Sequence, residues 1–267
     1  RAIQSSRSPA MHEREARRLG LSCSYLLVDF DALGLPDEAL AAVLDAGATL
    51  GFAGFNVTHP FKQRVVPLLR SLAPEAEAIG AVNTVVFSPS GAVGHNTDAF
   101  GFLQSFREGL PGAALGRVVL IGAGGAGAAV AYALLDLGVG QLDVFDSEPG
   151  RAAALADRFC VAGKRVAAVA DLAASIAAAD GVVNATPVGM AKYPGLPLPA
   201  DALQRRHFVA DIVYFPLETA LLRHARALGC RTLPGIGMAI GQAARAFELF
   251  TGMAADRTAM AGFFEAA

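Results

Sequence analysis

The sequence predicts an α/β protein of two domains, the second built on a doubly wound, mostly parallel sheet. Three observations carry this. The first is Val118-Val119-Leu120-Ile121-Gly122-Ala123-Gly124-Gly125-Ala126-Gly127, an apolar run that ends in glycines and continues into Ala128 to Leu135. It reads as a buried strand, a tight turn and a helix. The second is the alternation of strand-like and helix-like segments on both sides of that run, the pattern of a sheet with helical crossovers. The third is composition: 267 residues, 54% hydrophobic and 17% charged, suit a compact chain with a large core and not a disordered one. Val118 to Leu135 carries no charge, yet it is barely long enough to span a membrane. Its clustered glycines and the flanking Arg117 and Asp136 fit a soluble strand–helix unit better.

Taken in order, Ser8 as N-cap, Pro9 at the first helical position and Gly20 as terminator predict a first helix. Tyr25 to Phe30 is a strand candidate, and Pro36 to Asp45 a second helix with acids at its start. Phe52 to Val57 reads as a strand, Pro60 opens a third helix, and Glu75 to Ile79 forms a short fourth. Ala81 to Phe87 and Ala92 to His95 are strands joined by the turn Ser88-Pro89-Ser90-Gly91. A helical stretch, Phe100 to Arg107, leads through Gly109-Leu110-Pro111-Gly112 to the glycine run. Beyond it follow a strand at Leu142 to Phe145, a helix at Pro149 to Phe159, a strand at Arg165 to Val169, a helix from Leu172 and a strand at Gly181 to Asn184. Phe208 to Val213 adds a strand, Glu218 to Leu228 a helix, and Met238 to Phe250 and Asp256 to Phe264 two more helices. The expected domains are 1–98, completed by 237–267, and 99–236.

A net charge of −2 gives no reason to expect nucleic acid or an anionic membrane surface. Cys23, Cys160 and Cys230 are odd in number and far apart, so they read as reduced, buried thiols of a cytoplasmic protein. The five histidines show no metal-ligand spacing, and no metal is expected. No signal peptide is visible; Arg1 is not a natural start, so further residues are expected before it.

Gly122, Gly124 and Gly127 spell G-x-G-x-x-G between a strand and a helix. In that setting the first glycine makes the turn, the second lets backbone approach a pyrophosphate, and the third lets the helix pack on the sheet. Asp146 stands at the end of the next strand, where a dinucleotide's ribose is read. In the first half, polar clusters fall where strands give way to loops: Asn56-Val57-Thr58-His59-Pro60-Phe61-Lys62, Ala81-Val82-Asn83-Thr84 and Gly94-His95-Asn96-Thr97-Asp98. A purely structural reading exists for each. Asn56 and Thr58 would cap a helix at Pro60, Asn83 would make a turn bond, and Asp98 would cap the following helix.

Together these blocks resemble the shikimate dehydrogenase family. The resemblance runs in order through Ser6-Arg7-Ser8-Pro9, Asn56 to Lys62, Gly80 to Thr84, Asn96-Thr97-Asp98, Gly122 to Ala126, Asn184-Ala185-Thr186-Pro187 and Gly237-Met238 through Gln242-Ala243. Within the family the chain looks most like the NAD-dependent quinate/shikimate dehydrogenases, through Thr58-His59-Pro60 and Gly181 to Met190. It implies a substrate domain followed by a Rossmann-like nucleotide domain, C-terminal helices that return to the first domain, and a first strand before Arg1. It also implies hydride transfer between a nicotinamide and the 3-hydroxyl of shikimate, quinate or an analogue, in a monomer or homodimer. Lys62 and Asp98 match the catalytic pair. Ser6 and Ser8 match residues that bind the substrate carboxylate, and Asn56, Thr58, Asn83 and Gln242 those that hold ring hydroxyls, with Tyr214 a candidate for the same pocket. Gly122, Ala123, Gly124, Gly125, Ala126, Asp146, Arg151, Thr186, Pro187, Val213, Gly235 and Met238 match the cofactor side. His59 and His95 read as structural.

A lysine works best as a base near pH 7 to 8, about three units below its reference value, so its surroundings must lower it. A nearby carboxylate favours the charged amine, so Asp98 is assigned to orienting Lys62 and the substrate hydroxyl, and proton transfer to Lys62. Family members that prefer NADP carry Asn-Arg-Thr after the second strand of the nucleotide domain, where this chain has Asp146-Ser147-Glu148. A 2′-phosphate beside Asp146 would cost about 1 to 4 kcal/mol per unit-charge pair at about 4 Å. NAD is therefore expected, with Arg151 as the residue that leaves NADP open. Quinate-preferring relatives carry threonine where Ser8 stands, which tilts the substrate toward shikimate. The competing readings are an NADP-dependent biosynthetic shikimate dehydrogenase and, from another class, a non-catalytic dinucleotide-binding regulator. A nucleotide-dependent methyltransferase would share the glycine turn but not the substrate-side blocks.

Overall fold

The computed structural model describes residues 1, 3–160 and 165–265. The chain divides into two compact units, one comprising Arg1–Thr97 and the segment from Ile240 onward, the other Asp98–Ala239.

The first unit runs α1 (Ser8–Arg18), α2 (Leu40–Thr49), β1 (Gly54–Asn56), α3 (Phe61–Arg64), β2 (Ser71–Leu72), α4 (Pro74–Ile79), β3 (Thr84–Ser88) and β4 (Gly91–His95). Its sheet has the order β1-β3-β4-β2, with antiparallel pairing except between β2 and β4. The β3–β4 hairpin is tight because the Ser88 hydroxyl donates to the Gly91 carbonyl at 2.9 Å. α4 has its signals in the expected places: Pro74 at its start, Glu75 and Glu77 in the first turn, and Gly80 in the left-handed conformation at its end. The core packs Phe30, Leu44, Phe61, Val65, Val82 and Val85 under the sheet, the rings of Phe30 and Phe61 being 4.5 Å apart.

The second unit runs α5 (Thr97–Gly109), β5 (Arg117–Ile121), α6 (Gly125–Asp136), β6 (Gln141–Phe145), α7 (Pro149–Phe159), β7 (Arg165–Ala168), α8 (Leu172–Ala178), β8 (Gly181–Asn184), β9 (Phe208–Asp211), α9 (Ala220–Ala227) and β10 (Arg231–Leu233). All six strands are parallel, in the order β10-β9-β8-β5-β6-β7. Counted from β5, this is the 3-2-1-4-5-6 arrangement of a doubly wound sheet, in which the winding reverses between β5 and β8. Every residue of β8 and β9 is buried, which explains their apolar text up to the terminal Asn184 and Asp211. Asp171 and Thr219 cap α8 and α9, accepting hydrogen bonds from the backbone N–H of Ala174 and Leu222.

α10 (Ile236–Thr251) and α11 (Arg257–Glu265) carry the chain back to the first unit, which holds everything from Ile240. Glu15 on α1 is fully buried and accepts bonds from Nε and Nη2 of Arg18 and from the backbone N–H of Asp256, all at 2.8 Å. The Arg7 guanidinium donates to the Phe264 carbonyl and lies over the Phe264 ring.

Several expectations change. Tyr25 to Phe30 is not a strand; the Tyr25 N–H goes to the Glu13 carboxylate at 2.9 Å, and Phe30 enters a turn closed by Leu35. An apolar run becomes a strand only beside a strand edge that its N–H and C=O groups can join. Ser8 is the first residue of α1 and not its cap; Arg7 holds the cap position, and Ser6 Oγ accepts the Ser8 N–H at 3.3 Å. Cys230 is buried, but Cys23 and Cys160 are exposed, Cys23 in the segment after α1 and Cys160 directly after α7. β2 and β10 went unseen because strands of two and three residues have no readable period.

Hydrogen bonds from Arg18 hold the Glu15 carboxylate below its ordinary value of 4.5, with help from the Asp256 N–H and against burial. A lowered carboxylate stabilises the fold fully above its unfolded value and loses that contribution as pH falls through the folded one. Glu15→Gln should therefore lower stability by about 1 to 3 kcal/mol near neutrality, a loss of several degrees in Tm. Thermal melts from pH 7 down to pH 3 should show the gap to the parent closing below about pH 4.5.

Candidate functional site

In the first unit, β1 and β3 bring Asn56 and Thr84 opposite one another, and β4 places His95 opposite Thr84. The side chains then link into a network. Asn56 Nδ2 donates to Thr84 Oγ1 at 3.2 Å, and Thr84 Oγ1 donates to Asn83 Oδ1 at 3.1 Å. Asn83 Oδ1 also accepts the Thr97 N–H at 2.7 Å, while its Nδ2 donates to Thr97 Oγ1 at 2.9 Å. Asn83, Thr84 and Thr97 are buried, so these bonds fix the orientation of the Asn83 amide. With its oxygen committed, the amide's second N–H is what Asn83 can offer a ligand. Asn96 adds a brace, donating to the Ala81 carbonyl at 2.9 Å.

The backbone closes the arrangement. Val57 N–H donates to the Asn83 carbonyl at 2.7 Å and Val82 N–H to the Lys62 carbonyl at 2.8 Å, tying both ends of the Asn56–Lys62 cluster to residues 82 and 83. Lys62 is half-buried on α3, whereas Thr58 and His59 are exposed. Asp98 is 5% exposed in the first turn of α5, directly after Thr97. A helix N-terminus suits a carboxylate there. His95 Nδ1 lies 3.3 Å from Glu75, a structural tie. Ser6 and Ser8 are half-buried at the start of α1, and Gln242 is half-buried on α10 in the same unit.

In the second unit, three loops stand at the C-terminal ends of β5, β6 and β8, around the winding reversal. Gly122 has φ 103°, and a Cβ there would lie 2.9 Å from the Ala185 backbone. A Cβ on Gly127 would fall 2.0 Å from the Gly122 carbonyl oxygen, whereas one on Gly124 would meet nothing within 4 Å. No side chain caps α6, whose N-terminus is formed by this glycine turn. Asp146 pins the turn: Oδ2 accepts the Ala123 N–H at 2.7 Å and Oδ1 the Glu148 N–H at 2.9 Å. Arg151 pairs with Glu148 at 2.8 Å, both side chains being more than half exposed.

A second network holds the loops after β8 and β9. Asn184 Oδ1 accepts from Thr186 N–H at 3.0 Å and Thr186 Oγ1 at 2.7 Å; its Nδ2 donates to Asp211 Oδ1 at 2.9 Å. Asp211 also accepts from the Val213 N–H at 3.0 Å and the Thr219 hydroxyl at 2.7 Å. Burial raises the Asp211 pKa, and these hydrogen bonds oppose the rise. Gly235 packs against this loop, since a Cβ there would lie 2.4 Å from the Ile212 carbonyl oxygen. Pro187 and Tyr214 stand on the same two loops, Tyr214 exposed; Met238 is buried on α10.

Three family models match the chain: the shikimate dehydrogenase substrate binding domain at residues 1–85, shikimate / quinate 5-dehydrogenase at 107–190, and the shikimate 5′-dehydrogenase C-terminal domain at 235–261. A shikimate dehydrogenase (NADP(+)) of Streptomyces avermitilis is 56% identical over 97% of this chain and 90% of its own length. The chain belongs to the shikimate dehydrogenase family. Another member, the quinate/shikimate dehydrogenase (NAD(+)) of Corynebacterium efficiens, is 48% identical over 98% of this chain and 94% of its own. Among solved structures, quinate dehydrogenase from Corynebacterium glutamicum in complex with NAD superposes with a TM-score of 0.93, at 47% identity over 100% of this chain and 96% of that one.

Of the residues singled out in the sequence, Asn56 and Asn83 share one network, and Asp146 grips the glycine turn. Asn56 and Thr58 do not cap α3, which has no side-chain cap. Missed were the bracing roles of Thr84 and Thr97, both inside the clusters quoted above, and of Asp211 and Thr219 in the second unit. Their signal was a polar residue at the end of an apolar strand, visible for Thr84 and Asp211. A separate open concavity of about 720 Å³, lined by Leu44, Leu68, Arg70 and Phe87, contains none of the candidate residues. Among the described residues no group of three or more His, Cys, Asp or Glu is placed to hold a metal, and no helix is long and apolar enough to cross a membrane.

The two glycines separate packing from ligand access. Gly127→Ala should destabilise the second unit by about 2 to 4 kcal/mol, because its Cβ meets backbone that cannot move aside. Gly124→Ala should leave Tm within about 2 °C, as for a substitution into open space. Differential scanning calorimetry of both variants checks the contrast.

Proposed function

We propose that the protein is an oxidoreductase that interconverts a ring hydroxyl and a ketone on shikimate, and secondarily quinate, using NAD. The observation that carries the reading is the Asn83 network. It orients one amide N–H, ties the Lys62 backbone to residue 82, and holds Thr97, the residue before Asp98. A regulator that only sensed a dinucleotide would need none of this, nor Lys62 with Asp98.

When bound, the nicotinamide supplies the hydride acceptor or donor; this chain's part is the proton and the alignment. Ser6 and Ser8 donate hydroxyl hydrogen bonds to the substrate carboxylate, and Asn56, Thr58, Asn83 and Gln242 hold the ring hydroxyls, with Tyr214 bordering them. Lys62 takes the proton of the reacting hydroxyl in oxidation and returns it in reduction; Asp98 orients the hydroxyl and the amine. On the cofactor side, Gly122, Ala123, Gly124, Gly125 and Ala126 offer backbone to the pyrophosphate at the α6 N-terminus. Asp146 retains lone pairs for the ribose hydroxyls beside its two backbone bonds. Thr186, Pro187, Val213, Gly235 and Met238 line the nicotinamide end.

NAD is favoured over NADP because a 2′-phosphate would approach Asp146 and Glu148, and because Arg151 is engaged by Glu148. The NADP reading draws on the name of the 56% identical relative and on Arg151, whose ion pair is exposed and therefore weak.

Lys62→Ala should lower kcat by about 100-fold or more with KM for shikimate changed much less. An unchanged kcat removes Lys62 from the proton transfer. A four-way comparison of shikimate or quinate with NAD or NADP, read from reduced-cofactor absorbance, should give the highest kcat/KM for shikimate with NAD. Comparable values for the two cofactors overturn the NAD assignment; a preference for quinate overturns the substrate order.

A further inference from the structure

Arg7 stands between Ser6 and Ser8, and its side chain leaves that stretch for the far end of the first unit. The guanidinium donates to the carbonyl of Phe264 and lies over the Phe264 ring, 5.2 Å from its centroid. Phe264 is buried in the last turn of α11, so its carbonyl is among those at a helix end that have no partner inside the helix. A cation placed there also meets the negative end of the helix dipole. At the opposite end of the two helices, the Glu15 carboxylate on α1 accepts the N–H of Asp256, just before α11. The helices therefore run antiparallel with a polar tie at each end. Between the ties Met11 and Met260 are buried, and the Arg14 guanidinium lies over the Phe263 ring at 6.0 Å.

The backbone of Arg7 carries the consequence to its neighbours. Arg7 holds the cap position of α1 with helical dihedrals, and its carbonyl accepts the Met11 N–H at 3.1 Å. Ser6 Oγ accepts the Ser8 N–H at 3.3 Å, and the Ser6 N–H donates to the Ile3 carbonyl at 2.9 Å. These short-range bonds set both serines against Arg7, so whatever holds Arg7 holds the pair.

We propose that Arg7 is a positioning residue for the substrate carboxylate, anchoring the Ser6–Ser8 pair to the C-terminal end of α11. The inference rests on reading Ser6 and Ser8 as the ligands of that carboxylate. Each hydroxyl has one proton to give, and a hydrogen bond weakens steeply away from its preferred distance and angle. Two hydroxyls can serve one carboxylate together only when their placement is set beforehand. A guanidinium suits the task, because its planar fork gives an N–H to a carbonyl while its face rests on a ring. With that guanidinium drawn to α11, the carboxylate is left to neutral donors, and α11 takes part in recognition without touching the substrate.

Arg7→Ala should raise KM for shikimate about three- to tenfold, the scale of one hydrogen bond to a charged group. kcat should stay within about twofold, and KM for the cofactor should not move. The methyl ester of shikimate, which offers the hydroxyls no charge, should show a smaller rise. Arg7→Lys keeps a cation and a donor and should recover most of the parent KM. Phe264→Leu keeps the buried bulk and removes the ring face; it should raise KM about twofold alone and add nothing in an Arg7→Ala background. If Arg7→Ala does not fold, Phe264→Leu decides, and an unchanged KM overturns the proposal. Equal rises for shikimate and its ester overturn it too, as does a fall in kcat with both KM values rising together, the mark of a general loss of packing. If Ser6→Ala and Ser8→Ala raise KM for shikimate while Arg7→Ala does not, the proposal alone fails. If neither serine variant changes KM, the reading of the carboxylate site fails and takes the proposal with it.

Discussion

Buried amides and hydroxyls must find partners inside the protein, and in both units they find them across the loops at strand ends. Asn83, Thr84 and Thr97 satisfy one another in the first unit, and Asn184, Asp211 and Thr219 do so in the second. Each set costs desolvation that only complete hydrogen bonding offsets, so neither tolerates a loop that drifts. The loops that carry the candidate site are therefore held by side chains that need not touch a ligand. Asp146 follows the same logic at the glycine turn, where a carboxylate replaces the backbone bonds that a sharp turn cannot make.

That economy bears on cofactor choice. Asp146 already accepts two backbone N–H groups, so its charge is set into the turn and cannot swing away from an incoming phosphate. Glu148 reinforces the negative field while holding Arg151 at 2.8 Å. The geometry of the turn and the charge on which the proposed choice of NAD rests thus belong to one side chain, and changing the second means disturbing the first.

The second unit was legible because both faces of its parallel sheet are covered, which writes strands as unbroken apolar runs such as Val118 to Ile121. The first unit was less so. Tyr25 to Phe30 has the residues of a strand but pairs with no strand among the described residues, and Ser71–Leu72 is a strand by pairing alone. Pairing is a relation between distant segments, and local pattern does not contain it. The same holds for the site. Lys62, Asn83 and Asp98 stood out by chemistry and motif, whereas the bonds that Thr84 and Thr97 make to Asn83 depend on residues arriving from separate elements. The exposed Cys23 and Cys160 show the converse: residue type alone does not bury a side chain.

The Glu15 carboxylate reaches the backbone of Asp256, 241 residues away, and the second unit is inserted between them. Loop closure of that length adds only a logarithmic entropy term, so the insertion is tolerated at equilibrium. In time it imposes an order. As the chain leaves the ribosome, the second unit has all of its sequence by Ala239, while the first still lacks the helices that cover α1. Vectorial synthesis therefore finishes the later unit before the earlier one, and Glu15 waits as a solvated carboxylate until the last helices emerge.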